Sequence, residues 1–198
     1  MIVIGIVGLI SSGKSTVGKI LELNEYKVLN LDQMSHEIYK KGSSSYQKII
    51  NIWGDDILDD NHEISRKYLS EKVFIDDENE ILKLENIVWP NLVNNLKKEL
   101  LNLKNEDLVF IEGAKILNSD FVKFCDKIWC IVSSIENIKN RIINTSKNHK
   151  NLLQRLKNQI NEYSYLTGVD EFIENNSTRQ ELENDVKLLL EKNKKGLL

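Results

Sequence analysis

Residues 2 to 21 read IVIGIVGLISSGKSTVGKIL, an apolar run, a glycine-rich loop and an amphipathic segment in direct succession. The octapeptide GLISSGKS, Gly8 to Ser15, meets G-x-x-x-x-G-K-[ST] at every fixed position. Its place between a strand-like and a helix-like segment is the context that separates a phosphate-binding loop from a chance match. Gly8 and Gly13 allow backbone conformations and close approaches that a Cβ would obstruct, so successive N–H groups, those of Ser11 and Ser12 among them, can converge on phosphate oxygens at a helix N-terminus. Lys14 is then placed to neutralise β/γ-phosphate charge and the Ser15 hydroxyl to ligate Mg²⁺. Thr16 is a second hydroxyl at the helix start, near an α-phosphate or simply in a first turn. The bland alternative, a glycine turn with a solvated lysine, does not account for strand, spacing and helix together.

Working outward, apolar runs at Ile2–Val7, Lys27–Leu31, Asp107–Ile111 and Lys127–Val132, with a weaker one at Glu171–Ile173, predict about five strands. Helical periodicity predicts Lys14–Leu23, Gln33–Lys41, Ser45–Trp53, Arg66–Phe74, Asp76–Leu103, Ile135–Ser146, Asn151–Leu166 and Ser177–Lys192. This alternation predicts an α/β fold with a parallel sheet covered on both faces. The stretch 42–103 is almost wholly helical and long for a crossover, so it is expected to form a helical subdomain on the sheet's carboxyl edge. Core segments 1–41, 104–138 and 167–198 and a helical segment at 139–166 complete one domain. Pro90, the only proline, lies within a helical pattern and is expected to break or kink it near Trp89.

A chain of 198 residues accommodates one α/β domain with a full core. Lys+Arg total 27 against Asp+Glu 30, a formal charge of -3, so nothing global favours nucleic acid and any anionic ligand must be held locally. The longest apolar run, residues 2–10, is far short of the roughly 20 residues of a membrane span, and no basic leader with a cleavage site accompanies it. The expectation is a cytoplasmic protein, monomeric or weakly self-associating, without nucleic-acid or membrane partners. Cys125 and Cys130 read as reduced core residues, and three scattered histidines give no metal-ligand spacing. Trp53, Tyr68 and Phe74 fall at helical spacing and read as subdomain core.

A phosphate loop alone allows a kinase, a GTPase, an ATPase or a passive nucleotide sensor, so acceptor chemistry must be sought elsewhere. In VLNLDQMSHEI the second apolar run ends at Asp32, a carboxylate expected near the ligand-binding edge of the sheet and able to take a proton from an attacking hydroxyl. Its alternative is an N-cap for a helix starting at Gln33. Glu112, closing the run DLVFIEG, reads as a partner of Mg²⁺ through water, a partner of Lys14, or a turn carboxylate.

GLISSGKSTV, VLNLDQMSHEI, GDDIL, SRKYLSEKVF and LENIVWP, in this order and spacing, resemble the bacterial dephospho-CoA kinases over nearly the whole chain. The resemblance implies a P-loop core, a helical substrate subdomain at 42–103 and a lid at 139–166. It also implies transfer of the ATP γ-phosphate, with Mg²⁺, to the 3′-hydroxyl of dephospho-CoA. It places Asp32 on the family's acidic residue after the second strand, Gly42 on its helix-ending glycine, and Arg66 on its arginine before LSEKVF. Glu85 and Pro90 fall on its leucine-glutamate segment ending in proline. Arg141, Arg155 and Gln159 fall on lid positions, and Asn175 in a loop beside the adenine.

The chain departs from the family pattern where Trp89 replaces a histidine, His36 an arginine, and Glu112 and Ala114 an aspartate and a proline. Thr145 and Ser146 stand in place of a lid arginine and acid, with Lys147, Lys150 and Arg155 as cations available to compensate. Phosphoryl transfer is mostly positioning and charge stabilisation, so cations on a closing lid suit it independently of the resemblance. Among Lys139, Arg141, Lys147, Lys150, Arg155 and Lys157, the arginines are the favoured catalytic pair and each lysine the better candidate for a solvated face. Catalytic roles are thus expected for Lys14, Asp32, Arg141 and Arg155, nucleotide contacts for Gly8, Ser11–Thr16 and Asn175, and metal contacts for Ser15 and Glu112. The competing readings are a nucleotide-binding regulatory protein without turnover and a kinase for a nucleoside or nucleotide. A GTPase is disfavoured, because no N-K-x-D motif is present and LVFIEG is not D-x-x-G.

Overall fold

A computed structural model of the chain describes residues 1–73, 78–145, 149–163 and 167–195. Strands β1 (Ile2–Val7), β2 (Lys27–Asn30), β3 (Leu108–Glu112), β4 (Lys127–Val132) and β5 (Glu171–Glu174) form one sheet in the order β2-β3-β1-β4-β5. β1 pairs in parallel with β3 and β4, with Ile6 opposite Glu112 and Val7 opposite Cys130, and β4 pairs in parallel with β5. Successive strands fall first on one side of β1 and then on the other. The strand order therefore reverses at β1, and ligands of open α/β sheets bind beyond the carboxyl ends of the strands at such a reversal. The phosphate loop leaves β1 at that end.

The chain divides into two compact units, residues 1–29 with 105–198, and residues 30–104. In the first, α1 (Lys14–Leu23) and α8 (Arg179–Lys195) cover the sheet. Val17, Ile20 and Leu21 of α1 and Leu182, Val186 and Leu190 of α8 share one core with Ile4, Ile6, Phe110 and Trp129. That is why β1, central in the sheet, reads as an unbroken apolar run rather than an alternating one. Phe110 packs between Tyr26 and Trp129, with ring centroids 5.6 Å and 5.4 Å away. Two further helices, α6 (Ile135–Thr145) and α7 (His149–Tyr163), form a satellite cluster of Ile138, Ile142 and Leu156 that also takes in Leu9 and Ile10 of the phosphate loop.

The second unit is helical: α2 (Leu31–Ile38), α3 (Ser44–Trp53), a 3₁₀ turn at Asp55–Ile57, α4 (Arg66–Val73) and α5 (Glu78–Asn102). Ile38, Ile49, Ile57, Leu69, Val88, Leu92 and Leu96 are among its buried residues. Among the described residues no helix is long and apolar enough to cross a membrane.

Three local expectations are corrected. Pro90 does not end its helix, since α5 runs through it, and the Ile87 carbonyl one turn earlier accepts a hydrogen bond from Ser45 of α3 at 3.3 Å. A neighbouring helix thus ties down the turn that proline weakens. Tyr68 is not core: it is 41% exposed, with the Lys67 ammonium over its ring. Trp53 is half-buried with its indole N–H on Glu80 at 2.7 Å, and Phe74 lies outside the described residues. Cys125 and Cys130 are free, and burial pushes their thiols up to about 12 and about 11.

Candidate active site

The loop from Gly8 to Gly13 joins the carboxyl end of β1 to the start of α1. Gly13 occupies the N-cap position at φ 116°, with no side-chain cap, so the positive end of α1 opens directly onto the loop. A Cβ on Gly13 would stand 2.1 Å from Asn175 Nδ2, and one on Gly8 2.5 Å from the Ile131 carbonyl oxygen. Both positions therefore need glycine for space as well as for φ. Lys14 Nζ folds back over the loop, donating to the carbonyls of Gly8 at 2.9 Å and Leu9 at 3.0 Å. Its charge also lies close enough to Cys130 to oppose, without overcoming, the effect of burial on that thiol. Thr16 is half-buried in the first turn, its N–H donating to the Gly13 carbonyl at 3.0 Å.

Ser15 Oγ donates to Glu112 Oε1 at 2.6 Å. Glu112 ends β3, beside β1 in the sheet, and is only 6% exposed. A hydroxyl and a buried carboxylate from two chain segments thus meet at the phosphate-loop end of the sheet. Gly18, which the loop motif does not include, keeps this pair in place: a Cβ there would approach Glu112 Oε2 to 3.1 Å. A glycine inside a helix costs about 1 kcal/mol relative to alanine, a local signal that something passes close by.

The loop is held from outside by several groups. Arg141 of α6 donates through Nη1 to the carbonyls of Ser11 at 3.2 Å and Ser12 at 3.1 Å, and through Nη2 to the Asn175 carbonyl at 2.6 Å. Asn175 follows β5 and donates through Nδ2 to the Ser12 carbonyl at 2.7 Å. Gln159 of α7 accepts the Ile10 N–H at 2.8 Å. Between these anchors Ser11 adopts φ 57°, a left-handed conformation rare for a residue with a Cβ. The Ser12 hydroxyl is buried without a hydrogen-bond partner among the described residues. Arg155 is exposed on α7, as are Lys150 and Lys157; Lys139 is exposed on α6, and Ser146 and Lys147 lie outside the described residues.

Asp32 belongs to the helical unit. It stands in the first turn of α2, two residues past β2, and the cap is Asn30, whose side chain accepts from the Gln33 N–H at 3.0 Å. The N-cap alternative for Asp32 is therefore excluded, and the helix starts two residues earlier than its periodicity indicated. Asp32, Arg66 and Glu37 lie within electrostatic range of His36, whose imidazole is held below 6.5 by burial first and the Arg66 charge second, against the pull of Asp32 and Glu37. Tyr39 is pushed up by burial, with Arg66, Asp32 and Glu85 also acting on it. Asp32, His36, Arg66 and Glu85, which the family resemblance singles out, thus gather around α2.

A parallel sheet reversing at β1, a glycine-rich loop opening onto α1, and a lysine and a serine-glutamate pair at that loop define a P-loop nucleotide-binding phosphotransferase fold. The family model for dephospho-CoA kinase matches residues 2–181. The chain belongs to the dephospho-CoA kinase family. Dephospho-CoA kinase from Fusobacterium nucleatum is 36% identical over 183 residues, covering 92% of this chain and 93% of that protein. Its counterpart from Aquifex aeolicus is 31% identical over 189 residues, covering 95% of each. The structure of dephospho-CoA kinase from Campylobacter jejuni shares the fold at TM-score 0.72 and 22% identity, covering 99% of this chain and 98% of that one.

Proposed function

We propose that this chain transfers the γ-phosphate of ATP to the 3′-hydroxyl of dephospho-CoA, giving coenzyme A, in the cytoplasm. The observation that carries the reading is the family match over residues 2–181, which spans the phosphate loop and the Asp32 group together. In this reading 42–103 holds the acceptor and 139–166 acts as the lid. Backbone N–H groups at the junction of the loop and α1, around Gly13 to Ser15, grip the β-phosphate, and Lys14 spreads positive charge onto the oxygens between β- and γ-phosphate. Arg141 adds charge from the position its three carbonyl acceptors fix, and Arg155 adds it from α7. Asn175 borders the nucleotide. Asp32 takes the proton of the attacking hydroxyl and aims it at the γ-phosphorus.

Ser15 and Glu112 fit Mg²⁺, because their donors are all oxygen, they already meet at 2.6 Å, and one carboxylate with one hydroxyl suits an ion held largely by phosphates and water. When bound, Mg²⁺ neutralises phosphate charge and orients the oxygens. An ADP-release assay with ATP, Mg²⁺ and a panel of dephospho-CoA, nucleosides and nucleoside monophosphates tests the reading. Turnover confined to dephospho-CoA is the expected result. Turnover of a nucleoside alone, or ATP binding with no turnover of any acceptor, overturns it.

A further inference from the structure

The phosphate loop is held by side chains that its own motif does not contain. Ile10 and Ser12 flank Ser11, the loop residue whose backbone is left-handed at φ 57° without being glycine. On one side the Ile10 N–H is taken by the Gln159 side-chain carbonyl at 2.8 Å, 149 residues away in sequence. On the other, Arg141 Nη1 takes the carbonyls of Ser11 and Ser12. Beneath them Leu9 and Ile10 pack against the cluster of Ile138, Ile142 and Leu156, partnered by Leu152, Leu153 and Ile160. Both turns of α7 that flank Gln159 therefore hold apolar residues seated on this cluster, which fixes the direction from which its amide reaches the loop.

An N–H that bonds a protein carbonyl does not point at a phosphate, so Ile10 serves as an anchor, as does Ser12, whose N–H donates to the Leu9 carbonyl at 3.1 Å, and the loop N–H groups without such a bond are left to the anion. A left-handed serine persists only where its surroundings over-determine it. A loop shaped before its ligand arrives binds that ligand without first losing conformational freedom.

We propose that Gln159 is a positioning residue for the nucleotide: by accepting the Ile10 N–H it holds the phosphate loop, across Ser11 from Arg141, in the shape that grips phosphate. The lid helix α7 thereby contributes to ATP affinity through the loop, in addition to any cation it carries. This rests on the kinase reading for its substrate, and its test separates the two.

Gln159→Met keeps the length and bulk of the side chain and deletes the acceptor; Gln159→Glu keeps an acceptor oxygen. In Gln159→Met, hydrogen exchange at the Ile10 amide should accelerate. The Kd for ATP by calorimetry and the KM for ATP should both rise about tenfold, the effect of losing one hydrogen bond's worth of preorganisation. The fall in kcat at saturating ATP should be smaller than the rise in KM, and the KM for dephospho-CoA should stay near that of the parent. Gln159→Glu should restore slow exchange at Ile10. Unchanged exchange and ATP affinity in Gln159→Met, or a lower melting temperature with ATP affinity intact, would reduce Gln159 to a packing residue and overturn the proposal. A fall confined to kcat would overturn it too, by making Gln159 act on the transferring group. If the parent protein binds ATP but turns over no acceptor, the kinase reading fails, while ATP affinity and Ile10 exchange still decide the role of Gln159.

Discussion

In the proposed function Asp32 distinguishes binding from chemistry more sharply than any group in the phosphate loop. It belongs to a different compact unit from Lys14, Ser15 and Glu112, and the loss of its charge leaves their mutual contacts untouched. Asn is nearly isosteric with Asp but cannot take up a proton. Asp32→Asn should keep ATP affinity by calorimetry and lower kcat with dephospho-CoA by roughly 10²-fold or more, the span of a positioned general base. Near-parental turnover would remove Asp32 from the chemistry. At this scale the loop residues were legible because G-x-x-x-x-G-K-[ST] encodes a local shape. Gly18 and Gln159 were not legible in that way. Their partners, Glu112 and Ile10, are 94 and 149 residues distant, as the tertiary fold alone arranges. Gly18 still left a trace, as an isolated glycine in a helical pattern; Gln159 was marked only by the family resemblance, with no role attached.

Helices and strands were largely legible from periodicity, and their ends were not. β4 matches its apolar run from Lys127 to Val132, whereas α2 starts at Leu31 because Asn30, not Asp32, satisfies the first N–H groups. Side-chain capping is a contest between neighbouring Asn and Asp residues that periodicity does not arbitrate. At Pro90 the local rule allows a break or a kink, and the break does not occur, because α5 is held by tertiary contacts on both sides of the proline. Ser45, fully buried on α3, donates to the Ile87 carbonyl and accepts from Asn91 Nδ2 at 2.8 Å. Ser45→Ala removes both bonds in one step and should lower unfolding stability by about 1–3 kcal/mol in urea titration, the cost of leaving buried polar groups unpaired. A change below a few tenths of a kcal/mol would mean that α5 bridges its proline unaided.

The α2 helix also carries a pH response. The His36 Nε2 is buried without a hydrogen-bond partner among the described residues, and its imidazole is held below 6.5 by burial and then by Arg66. The unfolded chain therefore takes up the His36 proton more readily than the folded one, so stability is full above pH 6.5 and declines as pH falls below it. His36→Asn abolishes this contribution. Its urea midpoint should fall less than that of the parent between pH 7.5 and pH 5.5, and parallel curves would show that His36 does not titrate differently in the two states.

For the molecule as a whole, the alternation of apolar runs and helical periods was enough to specify a parallel α/β sheet. The strand order β2-β3-β1-β4-β5 then follows from two chain excursions on opposite sides of β1. What composition could not supply is the acceptor. A chain of formal charge -3 offers polyanions only local arrangements, and in the proposed function these are the loop with Lys14 and Arg141, and the Asp32 group with Arg66. The departures Trp89, His36 and Glu112 fall among residues expected to meet the acceptor or the metal. They leave the loop itself intact, and the acceptor hydroxyl is what analysis of the product identifies.

The most direct test is therefore a ³¹P NMR and mass-spectrometric analysis of the product formed from ATP, Mg²⁺ and dephospho-CoA by the full chain. The account predicts ADP and a product heavier by one phosphoryl group, formed in equal amounts, with a single new phosphomonoester resonance assigned to the ribose 3′ position. ADP without a phosphorylated acceptor, a phosphoryl group at any other hydroxyl, or unchanged ATP and dephospho-CoA after prolonged incubation would contradict it.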